Sequence, residues 1–285
     1  MRKIRYFEEK LFRVLMFIST NIIVIALTLI IFSILYKGLP SLSWEMISQI
    51  PKGGFYFGKE GGILNAIIGS LYLGIASTTL AFLIGLPVAL MMNVHLTNHR
   101  KLVNGIRFFL DLLWGVPSIV YGAFGFSVMI YFGLKTSLLA GIFTVTLFII
   151  PIMVRAMDEV LKTIPRGLME AALSLGSTPS EISYRIYVRQ VVSGLITAVL
   201  LSFGRAIGDA ASVLFTTGYT DQIPTALNQP TATLPLAIFF QLSSPIPEVQ
   251  NRAYASAVVL TVIILTISIL SRFFSKRYLK NKIKQ

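Results

Sequence analysis

The residues best able to do chemistry lie inside an apolar stretch, residues 191–216. There the chain reads Gly204-Arg205-Ala206-Ile207-Gly208-Asp209-Ala210-Ala211. An ionisable side chain at mid-bilayer costs roughly 2.5–3.5 kcal/mol on insertion scales, so its retention calls for a function. On a continuous helix the spacing of four sets Arg205 and Asp209 on one face. Gly204 and Gly208 form a GxxxG pair, which lets a second helix approach closely. Two readings remain open. The pair can neutralise itself and fasten two helices. Alternatively it lines an aqueous path, where a guanidinium fork suits a tetrahedral oxyanion. The carboxylate then limits how tightly the anion is held, or accepts a hydrogen bond from a protonated one, because conduction needs release. Arg107 and Asp111 share the same spacing near the end of another stretch, where a pair anchors the helix end.

Other chemistries are excluded. The chain has no cysteine, which removes disulfides, zinc–cysteine sites and thiol catalysis. His95 and His99 are four apart but have no carboxylate cluster beside them, so no metal site is expected. Residues 53–60 imitate the phosphate loop GxxxxGK yet lack its Ser/Thr, and no nucleotide site is expected there. No apolar stretch carries the paired carboxylates or Ser/His set that hydrolysis inside a membrane needs.

The elements that position these residues follow from composition. Of 285 residues, 55% are hydrophobic and 13% are charged, against about 25% charged in soluble domains. A water-facing surface cannot be covered at that level. A bilayer-crossing helix takes roughly 20 apolar residues, and six stretches qualify: 14–36, 63–94, 106–132, 137–157, 191–216 and 254–274. The fold expected is all-α and integral to the membrane, with residues 1–285 forming one transmembrane domain. The first stretch follows a basic segment but is too long for a signal core, so it reads as a retained helix. With the N-terminus inside, nineteen of the 25 Lys and Arg lie in inner segments, five in outer ones and Arg205 within a span. That bias places both termini in the cytoplasm. It also explains the net charge of +13, through anionic inner-leaflet lipid rather than nucleic acid.

The longest inner connection, 158–190, has helix signals of its own. Pro165 suits a first turn, and the run Leu168-Met169-Glu170-Ala171-Ala172-Leu173-Ser174-Leu175 stops at Gly176. Thr178-Pro179-Ser180-Glu181 reads as a capping box. Two short helices meeting at a sharp turn are expected; on these signals alone an ordinary loop with helical turns stands equally open. In the outer loop 218–251, five prolines surround an apolar patch, 234–242. It is a re-entrant or interfacial helix facing a partner, or a loop resting on lipid.

The run Glu170-Ala171-Ala172 to Gly176, with Ile186 ten residues on, resembles the EAA loop of the permeases of ABC importers. In place of that motif's usual I-x-L-P ending stands Ile186-Tyr187-Val188-Arg189. Gly204–Thr216 resembles the R-x-x-G-E-T-A-P-L-L-F element of phosphate-importer permeases of the PstA type, with Asp209 where glutamate is usual and Ala211-Ser212 where Ala-Pro is usual. Gly61-Gly62-Ile63-Leu64-Asn65-Ala66-Ile67-Ile68-Gly69-Ser70, Gly115-Val116-Pro117-Ser118-Ile119-Val120-Tyr121-Gly122 and Thr233-Leu234-Pro235-Leu236-Ala237-Ile238-Phe239 are similar to further elements of that family. The resemblance implies a transport subunit and not an enzyme. It binds no cofactor itself; ATP is hydrolysed on a partner chain. The implied partners are a second permease making a heterodimer, a dimer of cytoplasmic ATP-binding subunits and an extracytoplasmic phosphate-binding protein. Glu170, Ala171, Ala172 and Gly176 would contact the ATPase, while Arg205, Asp209, Gly204 and Gly208 would border the path of inorganic phosphate. A permease for molybdate, sulfate or phosphonate, or an ion-coupled carrier working alone, is the alternative.

Overall fold

The computed structural model describes residues 2–52 and 60–278. Most of the phosphate-loop imitation at 53–60 and the basic residues Lys280, Lys282 and Lys284 lie outside the described residues. The helices are α1 (Arg2–Gly38), α2 (Trp44–Ser48), α3 (Leu64–Leu90), α4 (Arg100–Trp114), α5 (Ser118–Tyr131), α6 (Leu138–Leu161), α7 (Arg166–Ser174), α8 (Pro179–Glu181), α9 (Val188–Gly208), α10 (Leu234–Leu242) and α11 (Pro247–Tyr278). One two-residue antiparallel pairing, Pro51 with Gly61 and Lys52 with Glu60, closes the loop after α2. Five helical stretches are long and apolar enough to cross a bilayer, and the bent α4–α5 pair makes a sixth if it counts as one span.

The core forms where α3, α6 and α9 pack together. α3 presents a buried seam of small residues, Ser70, Gly74, Ser77, Ala81, Gly85 and Ala89, at spacings of three or four. Small side chains let helix backbones approach where water supplies no drive for association. Val145, Ile149, Met153, Val154 and Met157 of α6 fill the facing layer, and 72% of the α6 span is buried against none of the α1 span. α1 instead touches the rest near its end, where the backbone of Gly38 meets Tyr254 and Val258 of α11.

Two of the expected spans are interrupted, the first of them at a Gly/Pro site where the sequence leads one to expect a kink. At Gly115-Val116-Pro117 the chain bends by 94° between α4 and α5. Pro117 lacks an N–H and disfavours helix in the residue before it, and the Tyr121 hydroxyl staples the corner by donating to the Leu113 carbonyl at 2.9 Å. The third expected span, 106–132, is therefore corrected to two segments, neither of them 20 residues long. The fifth expected span, 191–216, is also corrected. α9 stops at Gly208, and a series of turns runs from 210 to 217. Its other end is continuous: Pro179–Gly208 forms one helical run through a π-helical turn, Ile182–Tyr187. The second of the two expected short helices is thus the start of α9, and the bend falls at Val191, φ −121° and ψ 18°, without a proline.

The segment after α9 is sewn to its neighbours by backbone bonds. Ser137 N–H donates to Thr216, Leu138 to Gln229 and Thr231 to Thr217, at 2.8–2.9 Å. The start of α10 is tucked against the bundle: its first turn, Leu234 to Ala237, is buried, and the Leu234 N–H donates to the Ser70 hydroxyl at 2.7 Å. α5 lies directly on the turns after α9. A Cβ at Gly122 would sit 2.8 Å from the Ala211 carbonyl oxygen and 2.9 Å from that of Ser212, whereas one at Gly105 meets nothing within 4 Å. Gly122→Leu is expected to cost about 1–3 kcal/mol through overpacking and Gly105→Leu far less, read as melting temperature in detergent.

Candidate functional site

Arg205 occupies the last turn of α9, where a cation is favoured by the exposed carbonyls of a helix end. Its guanidinium carbon lies 5.3 Å from the ring centroid of Phe148, near the middle of α6, which sets it at mid-depth in the bundle. The side chain is exposed on the surface of the chain and has no hydrogen bond or ion pair among the described residues. A guanidinium over an aromatic face is held by the ring's quadrupole and leaves its N–H fork free.

Asp209 does not partner it. The helix has ended at this residue, φ −91° and ψ 123°, and Asp209 Oδ2 accepts the Ser212 N–H at 2.8 Å. The expectation of both charges on one helical face is corrected for that reason: a carboxylate followed by free N–H groups caps the next turn in preference to extending the old one. Among the described residues no helix packs closely on the GxxxG pair: a Cβ on Gly204 would meet nothing within 4 Å and one on Gly208 only Ile264 Cδ1 at 3.8 Å. Next to the break, Ser212 is fully buried and its hydroxyl oxygen has no partner.

At the opposite end of the bundle an ionic cluster fixes three elements. Asp158 on α6, its side chain fully buried, accepts from Arg107 Nε and Nη2 at 2.9 Å each, Arg155 Nη1 at 2.9 Å and Asn93 Nδ2 at 2.8 Å. Lys162 lies 3.0 Å from the same carboxylate, and Asp111 takes Arg155 at 2.6 Å. The expected Arg107–Asp111 pair is therefore corrected: Arg107 reaches across to α6. Asn93 arrives through a π-helical turn, Met91–His95, a geometry often found at functional sites. Arg155, Asp158 and Lys162 stand at helical spacing in the sequence and flag an ionic helix end. Arg107 and Asn93 are far away along the chain, so no local signal reveals the cluster.

Beside it lies α7. Ser177 N–H donates to Ala172 at 3.1 Å and Gly176 N–H to Leu173 at 2.9 Å, with Gly176 at φ +82°. That is a Schellman stop, which glycine adopts without strain. Thr178 Oγ1 accepts the Glu181 N–H at 3.3 Å and Glu181 Oε2 the Thr178 N–H at 3.1 Å, a reciprocal cap. Ala172 is buried in the core; Glu170, Ala171 and Gly176 are exposed, and Leu173 and Leu175 stand 43% and 87% exposed on the same short element. Glu170 also borders a cavity of about 630 Å³ between α4, α7 and the ends of α3 and α6.

Residues 81–285 match the family of binding-protein-dependent transport system inner membrane components. The chain is 33% identical over 270 residues to the phosphate transport system permease protein PstA of Haemophilus influenzae, covering 94% of this chain and 93% of that one. To the probable phosphate transport system permease protein PstA of Methanocaldococcus jannaschii it is 28% identical over 98% of both chains. Its fold is similar to a chain of the inward-facing MetNI methionine ABC transporter, TM-score 0.64 at 20% identity over 76% of this chain and 95% of that one. It is also similar to a chain of a bacterial alginate ABC transporter, TM-score 0.57 at 17% identity over 93% and 96%. These findings define a multi-pass membrane component of a transport system, not an enzyme. The chain belongs to the binding-protein-dependent transport inner membrane components, and within them to the PstA-type permeases.

Truncating one partner of a buried ion cluster leaves uncompensated charge and costs about 3–5 kcal/mol. Asp158→Asn leaves Arg107, Arg155 and Lys162 facing a neutral amide. It is expected to lower the melting temperature and the yield of monodisperse protein more than Asp111→Asn, as size-exclusion chromatography after a heat step would show.

Proposed function

We propose that Arg205 is the point at which the transported anion meets this chain, and that α7 passes the ATPase's movement to the spans. The chain is a membrane permease subunit of an ATP-driven phosphate importer, forming the translocation path by alternating access. The observation that carries the role of Arg205 is a guanidinium at mid-bundle with its donors unpaired, beside a broken helix. Membrane transport sites recur at interrupted helices, where irregular backbone lines a cavity and does not face lipid. An unpaired fork offers bidentate bonds to a phosphate oxyanion. Asp209 caps the following turns, so it positions the break and does not neutralise the arginine. The relatives' names support phosphate as the cargo.

In this reading the basic end faces the cytoplasm, as the distribution of Lys and Arg suggests. Both termini lie on that side. A second permease completes the path, a dimer of ATP-binding subunits docks on Glu170, Ala171, Ala172, Gly176 and the exposed Leu173 and Leu175, and an extracytoplasmic phosphate-binding protein delivers the anion. Closure of the ATPases pushes α7, and the spans switch between two packed arrangements.

A lost charge-assisted hydrogen bond is worth about 1.5–3 kcal/mol. Arg205→Ala is therefore expected to leave assembly intact and reduce phosphate uptake by roughly ten- to a hundredfold; normal uptake by a well-expressed variant refutes the role. Gly176→Pro forces a φ near −65° on a residue at +82°. It is expected to let ATP hydrolysis continue while phosphate transport falls, and an unchanged ratio of phosphate moved to ATP hydrolysed counts against the coupling role.

A further inference from the structure

The cavity of about 630 Å³ at the basic end holds a chemistry the transport path does not use. Its walls carry four cationic side chains, Arg100, Arg107, Lys162 and Arg166, against one carboxylate, Glu170. Arg107 and Lys162 are committed to Asp158. Arg100 and Arg166 have no hydrogen bond or ion pair among the described residues, so two free guanidinium groups border one concavity. Of the polar lining that remains, Asn98 and Asn104 add amide donors, whereas the Asn93 amide donates to Asp158 and Ala89 and the Thr97 hydroxyl to Val94. Arg100 and Arg166 also open α4 and α7, and neither helix has a side-chain cap or an acidic residue in its first turn. Unsatisfied N–H groups and the positive helix end add to the field that the two arginines set up.

We propose that this cavity is a binding site for a phosphate-bearing anion, distinct from the path past Arg205. Its volume falls within the range of small-molecule sites, about 300–1,000 Å³, which accommodates free phosphate with water or the phosphate of an anionic lipid headgroup. Both offer the tetrahedral oxyanion that an arginine fork grips. An anion held between Arg100 and Arg166 ties α4 to α7, so occupancy bears on the element proposed to couple to the ATPase. The proposal rests on the cavity's lining and stands whether or not Arg205 meets the cargo.

The test uses the full chain in two arms. In phosphatidylcholine nanodiscs, binding of radiolabelled inorganic phosphate is measured. In mild detergent, native mass spectrometry counts phosphatidylglycerol molecules that stay bound. In at least one arm, Arg100→Gln is expected to weaken binding about tenfold, the loss of one charge-assisted contact, and Arg100→Gln with Arg166→Gln to weaken it further. Arg189→Gln, which removes a basic residue outside the cavity, is expected to retain it. The arm that responds identifies the source of the phosphate group. Arg100 and Arg166 are exposed and unbonded, so their removal leaves the packing undisturbed. The proposal is overturned if neither ligand's binding depends on Arg100 and Arg166, or if Arg189→Gln lowers it equally.

Discussion

A helix interrupted at mid-bundle must have its freed backbone groups satisfied by protein, because hydrocarbon offers none. Asp209 meets that constraint. Its carboxylate takes the Ser212 N–H, while Ser137, Leu138 and Thr231 donate to carbonyls in or across the following segment. Everything at the site follows from that arrangement. With the carboxylate occupied by its own backbone, Arg205 is left without a counter-ion and turns to the face of Phe148. The close approach of α5 at Gly122 and the inward dip of α10 hold the turns in place. A charge that would otherwise be a self-neutralised pair becomes an unpaired donor set because the helix stops one residue earlier.

Two regions of the bundle differ in what they hold. At one, near mid-depth, the exposed arginine stands beside an interrupted helix. At the other, Asp158 gathers Arg107, Arg155, Lys162 and Asn93 from α4, α6 and the π-helical end of α3. That cluster locks the far ends of the spans into one body next to α7. In the proposed coupling, a push on α7 would reach helices held together in this way. The central α6, buried along most of its length, carries both Asp158 and Phe148 and connects the two regions through a single rigid element.

Much of this was legible in residue types and spacing, and the exceptions share one cause. The stop at Gly176 and the cap between Thr178 and Glu181 depend on contacts within a few residues, and the structure has them as read. Five of the six expected membrane-crossing stretches follow from apolar length, while the 94° corner between α4 and α5 does not, because Gly-Val-Pro marks a break without setting its angle. Arg205 stood out as a charge in an apolar run. Its pairing with Asp209 failed because helical spacing presumes a continuous helix, and Gly208-Asp209 ends one. The GxxxG spacing likewise describes two small residues but not whether a neighbour fills the space. Asp158 escaped notice since Arg107 and Asn93 reach it from 51 and 65 residues away.

The central claim is that the Arg205 position borders an aqueous route taken by phosphate. The chain has no cysteine, so Arg205→Cys introduces the single thiol in this subunit. In the assembled transporter with its other subunits made cysteine-free, a charged, membrane-impermeant methanethiosulfonate reagent should label that thiol, and phosphate delivered by the binding protein should slow the reaction. A thiol that reacts only with a lipid-soluble maleimide, at a rate phosphate leaves unchanged, would mean that residue 205 faces lipid and not the path.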